Sequence, residues 1–202
     1  MYVSPMYDVR VNVSPMYDVK VYVSPMYDVR VYVSPMYDVW VYVSPMYDVS
    51  VYVSLIMYDA RVYASLIMYD VTVYISPMIY VRVYVSLMYD VRVYVSLIMY
   101  DVKVYVSHIM YDVRVYVSPM NDVRVYVSLI MYDVRVYISP TIYDVRVYVS
   151  PMYDVRVYVS PMYDVRVYVS LIMYDVRVYV SPMYDVWVYV SPMYDVRVYV
   201  SP

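Results

Sequence analysis

Several residue types that usually shape a folded domain are missing from this 202-residue chain. It contains no Gly, no Cys and no Phe, and its eighteen acidic residues are all Asp. Without Cys there is no disulfide framework and no thiolate nucleophile, so cysteine usage indicates no cellular compartment. Phosphate-cradling loops and calcium-binding β-helix repeats are rich in glycine, and its absence argues against both. We therefore predict no cofactor.

Histidine is almost absent as well. The single histidine, His108, stands where other copies of a repeat have Leu or Pro, and one base change from either codon accounts for it. Zinc sites need several Cys or His ligands, and a catalytic triad needs a histidine placed between a particular Ser and a particular Asp. The sequence therefore predicts no catalytic residue, no metal site and no enzymatic activity.

Long uncharged stretches are missing too. The longest runs from Val71 to Val81, well short of the roughly 20 residues that a helix needs to cross a bilayer. We predict no membrane helix.

What the chain does contain is one unit, Ser-Pro-Met-Tyr-Asp-Val-Arg-Val-Tyr-Val, present about nineteen times. Residues 1–202 are thus predicted to be a single tandem array with no unique domain. The arginine site recurs from Arg10 to Arg197 at spacings of ten or eleven residues. In the longer units, Ser is usually followed by Leu-Ile-Met in place of Pro-Met.

Each unit alternates between apolar and polar residues, as in Asp8-Val9-Arg10-Val11-Asn12-Val13-Ser14. In an extended strand this places Val on one face and the polar residues on the other. Proline then interrupts the strand. We predict an all-β fold, a repetitive antiparallel β-meander curled into a barrel or sandwich, with Val inside and Arg and Tyr outside.

The antiparallel register follows from a short loop, which sets Ser14 opposite Asp18 and Val13 opposite Val19. Mixed unit lengths favour such a meander over the alternative, a β-solenoid whose corners must stack.

A second alternative is no unique fold. Identical strands do not specify their neighbours, and tight hairpins need residues that tolerate positive φ, whereas this chain has no Gly and two Asn.

The composition predicts self-association without a specific partner. Hydrophobic residues make up 64% of the chain, Tyr occupies 37 positions and the net charge is only −3. Val-Tyr-Val segments of low charge are strong aggregation candidates. Nucleic-acid binding is not expected. Arg30 and Tyr32 share one face, but Asp28 lies on that face as well and the overall balance is acidic.

The arginine site varies in a way that points to mutation rather than to a physical role. Lys, Trp, Ser and Thr have little in common chemically, yet each lies one base change from the arginine codon AGG. This set favours a translated minisatellite with no selected molecular function. The alternative is a self-assembling β-rich structural protein whose tyrosines are cross-linked by oxidation. The six replacements are Lys20, Trp40, Ser50, Thr72, Lys103 and Trp187.

Overall fold

The structure is a computed structural model, and the part of the chain that it describes is entirely β-strand and short connecting residues. The described residues are 2–3, 8–14, 17–24, 27–34, 37–44, 47–54, 59–67, 70–76, 80–87, 89–98, 101–109, 112–119, 122–130, 132–139, 144–151, 153–160, 164–172, 175–181, 185–192 and 195–201.

Twenty strands lie within these described residues, one for nearly every repeat unit. They are β1 (Tyr2–Val3), β2 (Val9–Val13), β3 (Val19–Val23), β4 (Val29–Val33), β5 (Val39–Val43), β6 (Val49–Ser54), β7 (Asp59–Ile67), β8 (Val71–Ser76), β9 (Tyr80–Leu87), β10 (Val91–Ile98), β11 (Val102–Ile109), β12 (Val113–Pro119), β13 (Val123–Ile130), β14 (Val134–Ile138), β15 (Val145–Pro151), β16 (Val155–Val159), β17 (Val165–Ile172), β18 (Val176–Val180), β19 (Val186–Pro192) and β20 (Val196–Val200).

The strands form two parallel sheets. Odd-numbered strands make one ten-stranded sheet, here the odd sheet, and even-numbered strands make the other, the even sheet. Each strand pairs with the strand two places further along the chain, as β10 does with β12. The chain therefore changes sheet after every strand and winds as a β-solenoid, in which two repeat units make one coil.

The predicted antiparallel meander is wrong, and the alternative, a β-solenoid, is what the structure has. Val13 lies opposite Val33, two units away, and not opposite Val19. The backbone N–H of Val19 donates to the carbonyl oxygen of Asp38 at 3.0 Å. The physical reason lies in the connections. A tight hairpin needs positive φ, for which this chain has no Gly, and consecutive strands lie in different sheets instead of pairing with each other.

The mixture of unit lengths does not disturb the solenoid, contrary to expectation. Between β10 and β12 the register runs from Ser96 opposite Ser118 directly to Ile98 opposite Pro119. The strand from the longer unit thus advances two residues while its partner advances one. Because this shift falls after Ser, at the corner, the Val-Arg-Val-Tyr-Val segments on either side stay aligned.

The core consists almost wholly of valine, as the alternation predicts. Val21, Val104 and Val157 have no measurable exposure, and nearly every inward position of β3 to β18 is at most 3% exposed. Full burial of a valine side chain stabilises a fold by roughly 1.5–3 kcal/mol. The placement of Val inside and of Arg and Tyr outside is therefore confirmed. Ala and Ile are the inward replacements, at Ala60, Ala64, Ile75 and Ile138.

Candidate functional site

The outward face of each sheet is a set of columns, each made of one residue type. Parallel pairing in register sets every position against its own counterpart in the next coil. Arg92 thus lies beside Arg114, and Tyr94 beside Tyr116. Because the unit reads Asp, Arg, Tyr, Ser at alternate positions, each sheet carries these four residues in parallel rows.

The tyrosine between the second and third inward positions of each Val-Arg-Val-Tyr-Val segment builds a stacked column on both sheets, the tyrosine columns. Neighbouring ring centroids are 4.6–5.0 Å apart and the ring planes differ by at most 11°. Stacked aromatic pairs contribute about 0.5–1.5 kcal/mol beyond the area they bury. The odd sheet stacks Tyr2, Tyr22, Tyr42, Tyr63, Tyr84, Tyr105, Tyr126, Tyr148, Tyr168 and Tyr189, and the even sheet stacks Tyr32, Tyr52, Tyr74, Tyr94, Tyr116, Tyr137, Tyr158, Tyr179 and Tyr199.

Two phenols of the tyrosine columns, those of Tyr42 and Tyr105, have a raised pKa, chiefly through burial. Burial raises the pKa of Tyr42 above its ordinary value, and the neighbouring phenols of Tyr63 and Tyr22 raise it further. Tyr105 follows the same pattern, with burial first and then Tyr84 and the next ring in the column. Two phenolates in contact would repel each other. Burial and the neighbouring rings therefore both favour the neutral form of Tyr42 and Tyr105.

Aspartates form a second pair of columns, at the start of the strands. The backbone N–H of Asp59 donates to Oδ1 of Asp38 at 3.0 Å, and that of Asp175 donates to Oδ1 of Asp154 at 3.0 Å. Each such carboxylate thus satisfies a backbone donor of the next coil that the sheet ladder does not reach. The aspartate columns continue the hydrogen bonding of each sheet around its corner.

The same arrangement sets carboxylates against one another. Burial raises the pKa of Asp70 above its ordinary value, and the charges of Asp90 and Asp48 raise it further. Asp133 behaves alike, with burial as the largest cause and the carboxylates of its two neighbours next. Hydrogen bonds and nearby arginines partly oppose these effects. The aspartates thus accept hydrogen bonds from backbone N–H groups, and at Asp70 and Asp133 the same position brings like charges close together.

The arginine site also forms columns, and its replacements fit them. The Nζ of Lys20 lies 3.9 Å from the ring centroid of Trp40, and the Cζ of Arg61 lies 5.2 Å from the same ring. Arg61 also contacts Asp59, with 3.6 Å between Nη2 and Oδ2. The Cζ of Arg166 lies 4.7 Å from the ring of Trp187. A tryptophan in this row is therefore stabilised by the cations beside it.

His108 is the residue that was weighed for catalysis and metal binding. His108 lies in β11, and its side chain falls outside the described part of the structure. Among the described residues, no group of three or more His, Cys, Asp or Glu side chains is arranged to hold a metal ion. Arg30 and the exposed Tyr32 do share the outer face of β4, with Asp28 just before them. That nucleic acid is not bound stays a prediction.

A groove of about 330 Å³ crosses the last coils of the even sheet. Its walls are the rings of Tyr137, Tyr158 and Tyr179 and the serines that follow each ring by two residues. The groove reaches Tyr199 and Ser201 in the last coil. Its lining residues include no charged side chain.

Among the residues that the structure describes, no helix is long and apolar enough to span a bilayer. This agrees with the sequence, which predicts no membrane helix.

The sequence of a single repeat unit does not predict the columns, because they form between units two places apart. The signal was present, because copies that match in sequence place like residues side by side in any parallel stack. Comparison with protein-family models, with curated proteins and with solved structures finds no match. The surface can bind backbone, stack aromatic rings and pair charges along a row.

Proposed function

We propose that this chain is a self-assembling β-rich structural protein whose role is mechanical and not catalytic. The observation that supports this most strongly is the in-register pairing of like strands. Arg92 lies beside Arg114 and Tyr94 beside Tyr116, so each coil presents to the next the same rows of side chains that it carries itself. Strands that match in this way can pair with any other copy of themselves.

The internal geometry suits a load-bearing rod. Hydrogen bonds, tyrosine stacking and valine packing all run along the solenoid axis, so each coil is held to the next by the same three interactions. In-register parallel strands with stacked side chains are also the arrangement that gives cross-β fibres their stability. Nothing in such a rod depends on one unique residue, which fits a chain built from one unit.

The test is the assembly state of the purified full chain. We expect a concentration-dependent increase in mass by analytical ultracentrifugation, and fibre diffraction with a strand spacing of about 4.8 Å along the fibre. A chain that stays monomeric at every concentration would overturn the proposal. In the source tissue, abundant protein detectable by mass spectrometry is the matching expectation.

A second candidate is a translated tandem-repeat DNA segment with no selected molecular function. The observation in its favour is the set of replacements at the arginine site, such as Ser50 and Thr72. The side chains at this site lie outward, where substitutions cost little. Neutral mutation would leave such a pattern.

The nucleotide copies of the unit distinguish the two candidates. Selection for the solenoid predicts an excess of synonymous differences at the codons for inward valines, and a weaker excess at the arginine site. Equal rates of synonymous and amino-acid-changing differences at both kinds of position would favour the unselected segment and count against a structural role.

A further inference from the structure

We infer that oxidation couples tyrosines of neighbouring coils within one chain, so that rings along the tyrosine columns are joined by dityrosine bonds. This rests on the proposed structural function and specifies the partner of each tyrosine. That partner is the counterpart two repeat units away, and not a tyrosine of the adjacent unit or of another chain. The oxidant is a peroxidase-type enzyme that uses hydrogen peroxide.

The rings of successive coils are already stacked on one another. The ring centroids of Tyr63 and Tyr84 are 4.9 Å apart and their planes differ by 1°, and those of Tyr84 and Tyr105 are 4.8 Å apart and differ by 2°. The strands that carry these rings pair in parallel and in register. Each ring is therefore a translated copy of the one before it, and the carbon ortho to one phenolic oxygen lies beside the same carbon of the next ring.

The rings lie on the outer face of the sheets, where an oxidant can reach them. Tyr32 and Tyr74, for example, are 40% and 39% exposed. Rotation about the bond between a tyrosine ring and its Cβ is broad and weakly restricted. Two neighbouring rings can therefore turn their ortho carbons towards each other while the strands and the valine core, on the opposite face, stay in place.

The fold also keeps apart tyrosines that are closer along the chain. Tyr74 and Tyr94 are each ten residues from Tyr84, but consecutive strands belong to different sheets. The two sheets share one valine core, so their tyrosine columns lie on opposite outer faces. Packed sheets are about 10 Å apart, and the outward side chains add to that distance. Tyr84 is thus beside Tyr63 and Tyr105 and out of reach of Tyr74 and Tyr94.

A second set of tyrosines, each directly before the aspartate of its unit, is arranged in the same way. The ring centroids of Tyr27 and Tyr47 are 5.2 Å apart, and so are those of Tyr132 and Tyr153. These pairs also join residues two repeat units apart. Whichever set reacts, the bond connects neighbouring coils of one chain.

The coupling consumes one hydrogen peroxide for each bond. Two phenols each lose one electron and one proton to become tyrosyl radicals, and the peroxide accepts both electrons and both protons and becomes two waters. The radicals join through their ortho carbons. Each of these carbons then loses its hydrogen as a proton while each phenolic oxygen regains one, which restores both aromatic rings. Rings held side by side react at a very high effective concentration, so coupling within a column outpaces coupling between chains.

Mass spectrometry of tryptic peptides identifies the partners, because the repeats near Tyr84 differ in sequence. Residues 83–92, 93–103 and 104–114 form three peptides that occur once each, and they carry Tyr84, Tyr94 and Tyr105. The purified full chain is treated with a peroxidase and hydrogen peroxide. We expect peptide 83–92 to be linked to 104–114 at least about tenfold more often than to 93–103.

Two phenylalanine variants provide a matched control. Tyr105→Phe and Tyr94→Phe each keep an aromatic ring in the column and remove one phenolic oxygen. Fragmentation of the linked peptides should show that the bond between Tyr84 and residue 105 is lost in Tyr105→Phe and unchanged in Tyr94→Phe. A mixture of unlabelled and isotopically labelled chains separates bonds within a chain from bonds between chains. We expect both halves of nearly every linked pair to carry the same label.

Equal yields of the two links, no dityrosine at all, or a majority of linked pairs with mixed labels would overturn this inference. If the chain assembles into β-rich fibres and the links lack the expected preference, the structural function stands and coupling within the columns is wrong. If the preference appears in a chain that stays monomeric at every concentration, the coupling stands and the structural function fails.

Discussion

The backbone N–H of Asp70 donates to Oδ1 of Asp48, 3.0 Å away, so each aspartate of the column completes the hydrogen bonding of the next coil. The same contact brings two carboxylates together, and the pKa of Asp70 is raised by burial and then by the charges of Asp90 and Asp48. Hydrogen bonding and charge repulsion thus oppose each other in one column, and pH shifts the balance.

Mild acid is expected to stabilise the solenoid. A carboxyl whose folded pKa lies above its unfolded value binds its proton more tightly in the fold, so stability rises as pH falls through the folded pKa. The gain from Asp70 and Asp133 is complete near their ordinary value of 3.8. The melting temperature, followed by circular dichroism, should be higher at about pH 4 than at about pH 7. A lower value would contradict this.

The variant Asp70→Asn isolates the charge from the hydrogen bond. Asparagine keeps the Oδ1 acceptor and loses the negative charge, so we expect a small stabilisation at about pH 7, no more than about 0.5 kcal/mol for this partly exposed site. Its melting temperature should also change less with pH than that of the parent chain. A destabilised variant would show that the charge strengthens the contact.

Strong alkali is expected to unfold the solenoid. The pKa values of Tyr42 and Tyr105 lie above the ordinary 10.0, chiefly through burial. Unfolded tyrosines therefore lose protons first, and stability falls as pH rises through about 10. Tyrosinate absorbance should rise together with the loss of the strand signal in circular dichroism. Ionisation that precedes unfolding, with the strand signal intact, would contradict this.

Filling the two alanine positions of β7 should stabilise the fold. Ala60 and Ala64 are 1% and 2% exposed and stand where other strands have Val. Each change to Val adds two buried methyl-sized groups at about 0.8 kcal/mol apiece, so Ala60→Val should gain about 1–2 kcal/mol in denaturant unfolding. Ser65→Val, on the exposed side of the same strand, is the control and should change little. A loss of stability in Ala60→Val would indicate that the neighbouring coils have closed around the alanine.

Restoring arginine at Trp40 should destabilise the solenoid. Trp40 lies between Lys20 at 3.9 Å and Arg61 at 5.2 Å, and a cation on that ring stabilises by about 0.5–1 kcal/mol at an exposed site. Trp40→Arg loses two such contacts and adds like-charge repulsion, for a cost of about 1–2 kcal/mol. Trp187→Arg, with its single cation Arg166 at 4.7 Å, should cost about half as much. Equal effects would mean that the contacts contribute nothing measurable.

The alternation of Val with polar residues was enough to predict which side chains are buried. Val21 and Val157 are inward in any sheet that these strands form, because successive side chains on a strand point to opposite faces. The ends of the strands were predicted less well. Pro interrupts the pattern after β16 (Val155–Val159), as expected, but β10 continues through Leu-Ile to Ile98, where the sequence predicted a loop. The sequence by itself thus determined strand content and the division into a valine core and a polar surface.

The direction and partner of each strand were decided only by the tertiary structure. Alternation places Val inward equally well in parallel and antiparallel pairs, so it does not distinguish Val13 opposite Val19 from Val13 opposite Val33. That choice depends on the corners, which lack glycine for tight hairpins and absorb the extra residue of the longer units between Ser96 and Ile98. Parallel pairing then brings Asp70 to Asp48 and Trp40 to Lys20. Such contacts between coils lie twenty or more residues apart, because each joins residues two repeat units apart.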